Sequence, residues 1–422
     1  MRRFRGSPWL GPLSERAFFL LFTGRSISLL GSTVAPIALA FAVIDLTGSP
    51  SDLGLVLAAS FLPQIAFLAV GGVWADRIPR HIVMVAADLV GGAAQAAIAV
   101  LLLLGQAEIW HVVVVAIVRG ISAAFFMPAA SGIVPQTVRS EHLQQANALL
   151  GLTRNSTALG GAAFGGLLVA GVGPGWALAV DAATYGLGAC FLAFLRLPAV
   201  PAVRRRFTQE LVEGWREVRS RTWLWVVVLQ FTLINAFSWA AFFVLGPFVA
   251  ERSLGGPAAW GLVLTAEAAG MLVGGFVALR RRPRRPLLVG NLGILLIAAP
   301  LGALALGWHV APIAVAAFVA GVGVEFFEVN WATTLQQEIA TEKLSRVSSY
   351  DWLGSFALVP LGTILVGPLA ASIGLSGTLW VATGVVVTAC LATLAVGEVR
   401  RLPARPGTEP VESDRIPAAL AA

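Results

Sequence analysis

Twelve long apolar runs constrain what this chain can fold into more than any other feature of its sequence. Each run reaches the length of about 20 residues that an α-helix needs to cross a bilayer. The chain is 57% hydrophobic and 12% charged, whereas a soluble domain carries about 25% charged residues. The sequence therefore predicts an all-α polytopic membrane protein surrounded by a lipid bilayer. The runs cover 17–45, 51–75, 82–104, 109–132, 143–170, 175–196, 223–250, 258–280, 286–307, 310–334, 346–372 and 376–397.

The chain also contains an internal repeat. Three segments of the first half recur in the second half at offsets of 201 or 203 residues. Repeats of this size in an apolar chain are typical of transporters built from two parallel halves. We therefore expect twelve transmembrane helices in two six-helix bundles related by a pseudo-two-fold axis. The matching pairs are 70–82 with 273–285, 120–126 with 321–327, and 140–143 with 341–344.

Basic residues alternate between the connections of the predicted spans. Of the 29 Lys and Arg residues, 25 lie at the termini and in the even-numbered connections. Because basic loops stay on the cytoplasmic side, this pattern predicts cytoplasmic termini in a cell (inner) membrane protein. The alternation requires an even number of spans, which agrees with twelve. The net charge of +7 follows from this arrangement, so no nucleic-acid partner is needed to explain it.

Four segments follow from these patterns. Residues 1–196 and 223–401 are the two predicted bundles, and 402–422 is a Pro-rich, polar tail that we expect to be disordered. Residues 197–222 join the bundles as a cytoplasmic linker. Apolar side chains at helical spacing in this linker predict an amphipathic helix at the membrane surface. These side chains are Phe207, Leu211, Trp215 and Val218.

Charged side chains inside the spans are the strongest candidates for function. Each costs about 2.5–3.5 kcal/mol at the centre of a span, so its presence requires a reason. One interpretation is structural pairing between helices, which we favour for Asp88, Asp181 and Asp351. The other is function, which we favour for four deeply placed residues because the fourth and tenth spans are the duplicated pair. These four are Arg119, Glu267, Glu325 and Glu328.

Buried carboxylates near an arginine suit a carrier that is driven by protons. Desolvation favours the neutral acid and a nearby guanidinium favours the ion, so such a group can take up a proton on one side and release it on the other. The sequence does not distinguish which of Glu267, Glu325 and Glu328 would do so. Protons are therefore an expected second partner, beside a small-molecule substrate.

A substrate cavity is expected where the first, fourth, seventh and tenth spans meet. Polar and aromatic side chains on these spans are the candidates to line it, although each aromatic ring can equally be explained by lipid-facing packing. The candidates are Arg25, Phe125, Phe126, Asn235, Trp239, Phe326, Asn330 and Trp331.

Small residues form a stripe on the fifth span. Gly161, Gly165 and Gly166 lie in the sequence LGGAAFGG. Such a stripe allows two helices to approach closely. The same contact could also serve as a sliding or bending face between the halves, and the sequence does not separate these interpretations.

The connection after the second span carries a recognisable motif, GGVWADRIPRH at 71–81. With the twelve spans and the duplication, it resembles the loop motif of the major facilitator superfamily. Pro79 replaces a glycine of that motif, and His81 replaces an arginine or lysine. The stretches at 125–138, 142–154 and 349–370 are similar to the branch of macrolide-efflux proteins and enterobactin exporters. The gating residues implied by the resemblance are Gly72, Asp76, Arg77, Arg80 and His81.

The resemblance implies specific roles. Asp76 would act as a cytoplasmic latch against the start of the eleventh helix, where a carboxylate is favoured by about 0.3–1 kcal/mol. The repeat places Leu279 at the equivalent position, so the latch should be asymmetric. The fifth-span segment 161–166 lacks the proline of the family's antiporter motif, which weakens an antiport assignment. Arg119 matches a fourth-span arginine that the family links to proton transfer.

These observations favour a monomeric, proton-coupled exporter of a small lipophilic or amphipathic molecule, such as a drug, an antibiotic or a siderophore. Transport would proceed by rocker-switch alternating access. An importer or facilitator, and a non-transporting sensor or partner subunit, are the alternatives. The chain has no Gly-x4-Gly-Lys-Ser/Thr loop and no His/Cys cluster. We therefore expect neither an enzyme, nor a metal site, nor a cofactor.

Overall fold

The structure is a computed structural model, and it describes residues 8–139, 142–195, 197, 215–281, 283–339 and 341–404. The regular secondary structure within these ranges is helical. Eleven of the described helices are long and apolar enough to cross a membrane. They are α1 (Arg16–Thr47), α2 (Pro50–Leu68, whose helix continues to Arg77), α3 (Arg80–Leu103), α4 (Ile109–Gln136), α5 (Gln145–Val172), α6 (Pro174–Ala193), α7 (Thr222–Leu254), α8 (Pro257–Ala278), α9 (Pro286–Ala305), α10 (Val310–Glu338) and α11 (Val347–Ala395).

The last two predicted spans form one candidate helix, α11. Its 49 residues would reach about 73 Å at 1.5 Å per residue, more than twice the thickness of the hydrocarbon core. The helix is not continuous, because Gly374 has φ 80° and ψ 163°. This conformation is essentially restricted to glycine. Gly374 therefore divides α11 into two helical arms, and a turn at 357–358 interrupts the first arm.

Positive-φ glycines repeat between the two halves of the chain. Gly173, between α5 and α6, has φ 84° and ψ 166°, close to the values at Gly374. Gly105 ends α3 with φ 67°, and Gly307 ends α9 with φ 66°. The members of these pairs are 201 and 202 positions apart, within the range of 201 to 203 set by the sequence repeat. The duplicated sequence thus produces matching chain reversals.

Helix packing repeats in the same way. In the first half, α2 packs on α4, and Gly120 of α4 faces the backbone carbonyl of Ser60. In the second half, α8 packs on α10, and Gly321 of α10 faces the backbone carbonyl of Glu267. Gly120 and Gly321 are equivalent positions of the repeat. A side chain at either position would meet backbone atoms, so each glycine sets the distance between its two helices.

We call the helix ends next to 46–50, 105–108, 171–174, 251–257, 307–309 and 373–375 the arginine-poor ends, and the opposite ends the arginine-rich ends. Close glycine contacts between the two halves lie toward the arginine-poor ends. Gly54 of α2 meets the backbone of Thr363 in α11, and Gly367 of α11 meets Ser51 of α2. A second contact joins α5 to α8 through Gly166 and Gly261.

The predicted amphipathic linker is only partly described. Phe207 and Leu211 lie outside the described residues, whereas 215–219 form a short helix. Val218 is buried in this turn, whereas Trp215, which the prediction placed on the same apolar face, is exposed. The Trp215 ring lies 6.0 Å from the ring of Tyr350. The segment therefore rests against the start of α11. Most of the predicted tail, from 405 onward, also lies outside the described residues.

Candidate functional site

A cavity of about 670 Å³ opens among the helices of the first half. Its volume lies within the range of 300–1,000 Å³ that is typical of small-molecule sites. It extends from the arginine-rich ends of α4 and α5 past the middle of α1 and α2. Residues of α1 to α6 line it: Arg25, Ser26, Ser28, Leu29, Ser32, Pro36, Leu39, Leu57, Ser60, Gln64, Ala87, Asp88, Gly91, Arg119, Gly120, Ser122, Ala123, Phe126, Met127, Ala130, Ser131, Val134, Asn147, Leu150, Gly151, Thr153, Arg154 and Tyr185.

Three arginines contribute to this cavity from three different helices. Arg25 lies on α1, Arg119 on α4 and Arg154 on α5. The Nη1 of Arg25 donates a long hydrogen bond of 3.5 Å to the carbonyl of Ala130. Arg25 also interacts electrostatically with the carboxylate of Asp88 and with the charge of Arg154. The first-half wall is therefore rich in positive charge.

Arg119 belongs to a polar network that joins α1, α4 and α6. Its side chain interacts electrostatically with Tyr185 and with the opposite charge of Asp181, and its Nε is buried without a hydrogen-bond partner among the described residues. The Ser32 hydroxyl donates to the same Tyr185 oxygen at 3.3 Å. Asp181 is fully buried, and neither of its carboxylate oxygens has a hydrogen-bond partner in the described part of the chain. The network thus holds Arg119 while leaving a buried carboxylate without a donor.

Tyr185 is a site residue that the sequence analysis missed. It is one of only two tyrosines, and it lies four residues after Asp181, which places both side chains on one face of α6. That spacing was the available signal. Asp88, interpreted as structural, also lines the cavity, and its buried Oδ2 has no hydrogen-bond partner among the described residues.

The three candidate glutamates lie in the second half. Glu267 of α8 and Glu325 of α10 are partly buried, whereas Glu328 of α10 is exposed. The Cγ of Glu325, on α10, lies 3.5 Å from the position of a Cβ at Gly275. The charge of Arg154 acts on Glu325 across the two halves. The charges of Glu325 and Asp351 both act on Glu328. Acidic groups therefore cluster on the second half, opposite the basic wall of the first.

Two of the eight predicted cavity residues, Arg25 and Phe126, line the cavity. The Phe125 side chain does not line the cavity. Its ring instead packs edge-on against the ring of Trp74, with the centroids 5.8 Å apart. Trp239 packs against Phe61 of α2 at 5.2 Å. The remaining candidates lie on α7 and α10, away from the residues that line the cavity.

The polar candidates on α7 and α10 are engaged in contacts within the second half. Asn235 donates to the carbonyl of Ser355 at 3.0 Å, and Asn330 donates to the carbonyl of Phe326 one turn earlier at 2.7 Å. Trp331 is buried, and its Nε1 donates to the carboxylate of Asp351 at 2.8 Å. The bonds of Asn235 and Trp331 link α7 and α10 to α11, whereas that of Asn330 stays within α10.

The structure describes the side chains of only part of the predicted gating motif. Gly72, Asp76 and Arg77 lie on the helix that continues α2, and their side chains are outside the described set. Arg80 donates a hydrogen bond to the carbonyl of Gly132 in α4. The Nδ1 of His81 is buried without a hydrogen-bond partner among the described residues. The described part of the motif thus ties α3 to α4.

The glycine stripe of α5 faces two helices. Gly161 lies against Thr33 of α1, and a Cβ at Gly165 would come within 3.1 Å of the Cα of Val34. Gly166 instead faces Gly261 of α8. One stripe therefore contacts its own half through two residues and the opposite half through the third.

Comparison with known proteins gives relatives over nearly the whole chain. Macrolide efflux protein A of Streptococcus pyogenes is 24% identical over 404 residues, covering 91% of this chain and 97% of that protein. The enterobactin exporter EntS of Citrobacter koseri is 27% identical over 412 residues, covering 93% and 96%. The multidrug efflux pump Tap of Mycolicibacterium fortuitum is 27% identical over 395 residues, covering 87% and 91%.

Solved structures share the fold at low sequence identity. A bacterial homologue of the human lysosomal transporter Spinster, in an inward-facing, unoccupied conformation, gives a TM-score of 0.73 at 15% identity. That alignment covers 95% of this chain and 100% of the other. The nucleoside transporter NupG gives a TM-score of 0.71 at 13% identity, covering 90% and 98%.

The family assignment follows from a match that spans most of the chain. The family model of the Major Facilitator Superfamily matches residues 21–356. This match and the relatives indicate a multi-pass membrane transporter rather than an enzyme, and they confirm the resemblance noted in the sequence. The chain belongs to the major facilitator superfamily.

Proposed function

We propose that this chain is a secondary active transporter that exports a small amphipathic molecule in exchange for protons. The observation that carries the proposal is the cavity of about 670 Å³ lined by arginine, carboxylate and serine side chains among helices of membrane-spanning length. Charged groups in such a setting are costly and usually mark a solute or ion pathway. The efflux and exporter names of the relatives support the direction of transport.

Alternating access is supported by where the two halves touch. The close contacts through Gly54, Gly367 and the pair Gly166–Gly261 lie toward the arginine-poor ends, and the cavity extends to the arginine-rich ends. We infer that the structure is closed on one side of the membrane and open on the other. If basic ends face the cytoplasm, this state is inward-open, like that of the Spinster homologue.

The proposed transporter has a specific number and arrangement of membrane spans. We propose twelve spans, with α11 contributing two through its break at Gly374, arranged as two six-helix bundles with cytoplasmic termini. The matched positive-φ glycines and the matched packing of α2 on α4 and α8 on α10 support the duplication. We further propose that one copy of the chain is sufficient for transport.

Proton coupling is assigned to the acidic groups of the second half. An ionised carboxylate on a membrane-spanning helix raises the free energy of the protein even where it is only partly buried, as Glu267 and Glu325 are, or exposed on the helix surface, as Glu328 is, and proton uptake removes that cost. Glu267, Glu325 and Glu328 are therefore the proposed carriers. Because Arg154 acts electrostatically on Glu325, this glutamate is the one whose charge can respond to a solute in the first-half cavity.

Accumulation in cells tests export directly. Expression should lower the steady-state cellular level of a transported compound, and a protonophore should remove the difference. A macrolide, a dye and a siderophore cover the solute classes suggested by the relatives' names. The control is Glu325→Gln expressed at the same membrane level. Higher accumulation on expression would instead favour an importer, and no change for any compound would favour a non-transporting protein.

A further inference from the structure

Two of the arginines in the first-half cavity repel each other, and no acid in the described part of the chain forms an ion pair with either, although Asp88 lines the same cavity. Arg25 of α1 and Arg154 of α5 both line it, and each charge acts on the other. Repulsion between two unit charges grows as the local dielectric constant falls, so it is stronger within the membrane than in water. Arg25 is only partly buried and Arg154 is exposed, so both side chains can be reached from the cavity, where an anion between them would relieve the repulsion.

The described residues supply few hydrogen-bond acceptors for these two guanidinium groups. A guanidinium carries five N–H donors. Arg25 makes the long hydrogen bond to Ala130, and the guanidinium of Arg154 donates no hydrogen bond within the described part of the chain. Asp88 and Glu325 act on them electrostatically, but neither forms an ion pair with them among the described residues. Most of the donors therefore remain available to a ligand.

An apolar surface lies beside this basic pair. Phe126 and Met127 of α4 and Leu150 of α5 line the same cavity. Leu150 precedes Arg154 by one helical turn, so their side chains lie on one face of α5. The cavity thus combines a corner that can bind an anion with a hydrophobic wall.

We propose that the solute is an amphipathic organic anion, whose carboxylate, sulfonate or phosphate group binds between Arg25 and Arg154 while its apolar body packs against Phe126. Arginine suits this role because its planar fork can bind two oxygens of one acid group. The inference deepens the proposed function by naming the class of solute, and it rests on that function. An anionic solute class excludes lipophilic cations as the main substrates.

Two probes with one aromatic skeleton test the inference. 1-Anilinonaphthalene-8-sulfonate carries a sulfonate, and N-phenyl-1-naphthylamine lacks it. Fluorescence titrations would use the full chain in nanodiscs of neutral phosphatidylcholine, with empty nanodiscs subtracted. The sulfonate should bind at least about tenfold more tightly than the neutral probe, because charge-assisted hydrogen bonds are stronger than neutral ones.

Variants identify the groups responsible. Arg25→Gln and Arg154→Gln should each weaken sulfonate binding about tenfold or more and leave binding of the neutral probe unchanged, which also reports that the fold is intact. Arg154→Lys should retain part of the affinity because the charge remains. Arg252→Gln, at an exposed position near an arginine-poor end, is the matched control and should have no effect. Equal affinity for both probes, or equal loss of both in the variants, would overturn the proposal.

An anionic lipid headgroup could bind between the same two arginines. A second set of nanodiscs distinguishes a lipid anion from a solute anion. If phosphatidylglycerol in the nanodiscs competes with the sulfonate in the wild type but not in Arg154→Gln, the site belongs to lipid and the proposal of a solute anion fails. Unchanged affinity supports it. Because the assay measures binding alone, sulfonate binding without transport would refute the proposed function, and transport of neutral compounds alone would refute only the anion assignment.

Discussion

Gly166 of α5 and Gly261 of α8 pack so closely that a Cβ added to Gly166 would lie 2.8 Å from the Cα of Gly261. The contact joins the two halves toward the arginine-poor ends. Real Cβ atoms essentially never approach another atom this closely, so a side chain at either position forces the helices apart. Substitutions at this pair therefore test directly whether close contact between the halves is needed for closure.

Gly166→Ala should impair transport by preventing full closure at the arginine-poor ends. Overpacking of this kind costs about 1–3 kcal/mol, so we expect a transport rate at least about fivefold lower. Gly160→Ala is the matched control, because a Cβ at Gly160 on the same helix meets nothing within 4 Å. Transport assays on both variants at equal membrane levels make the comparison. Equal rates in the two variants would show that the contact does not limit closure.

Gly374→Ala should destabilise the protein by about 1–3 kcal/mol, because φ 80° and ψ 163° are strained for any residue with a Cβ. Gly173→Ala, at the equivalent position of the first half, should cause a similar loss. Gly384→Ala, where a Cβ meets open space within a regular helix, should be neutral or slightly stabilising. Thermal unfolding in detergent measures all three. A neutral Gly374→Ala would mean that α11 does not break there.

Glu217 should give the linker contact a pH dependence. Burial acts to raise the pKa of this carboxyl, but hydrogen bonds from Arg221 at 2.9 Å and Lys343 at 3.0 Å outweigh it and lower the pKa below its ordinary value of 4.5. Because the folded-state pKa is lowered, the stabilisation is complete above pH 4.5 and is lost as the pH falls through the folded-state pKa.

The coupling between Glu217 and Lys343 should be about 0.2–1 kcal/mol at pH 7, as for other exposed ion pairs. A double-mutant cycle with Glu217→Gln and Lys343→Gln measures it from unfolding midpoints at pH 7 and again below pH 4. Arg219→Gln, exposed on the same helical turn, serves as the control. A coupling that persists unchanged in acid would contradict the ionic assignment.

Asp76→Asn should reduce transport severalfold while the protein still reaches the membrane, if the resemblance to the family's latch carries over. A carboxylate interacts favourably with a helix N-terminus by about 0.3–1 kcal/mol, and an amide loses most of that interaction. Glu251→Gln, at an exposed carboxylate near an arginine-poor end, is the control for removing one negative charge. Full transport by Asp76→Asn would remove the latch role.

Helix positions could be predicted from the sequence, but the direction in which each side chain points could not. Apolar length located the helices to within a few residues, because the thickness of the bilayer sets how long a spanning helix must be. Phe125 and Phe126 are adjacent in sequence, but only Phe126 lines the cavity, and Phe125 packs against Trp74. Their difference depends on the rotation of α4 against its neighbours, which tertiary packing sets.

The seventh helix shows a second limit. Asn235 and Trp239 bound a π-helical turn, and two further π turns cover Ala241–Leu245 and Ala250–Leu254. Each wide turn shifts the helical phase, so periodicity of 3.6 residues does not give the faces of α7. Its candidates consequently contact α2 and α11 rather than the first-half cavity.

Flux through purified protein in proteoliposomes with an imposed pH gradient tests the central claim most directly. The account predicts that solute flux follows the size of the gradient, stops with a protonophore, and becomes insensitive to the gradient in at least one of Glu267→Gln, Glu325→Gln and Glu328→Gln. Wild-type flux that ignores the gradient, or three variants that all respond as the wild type does, would contradict it.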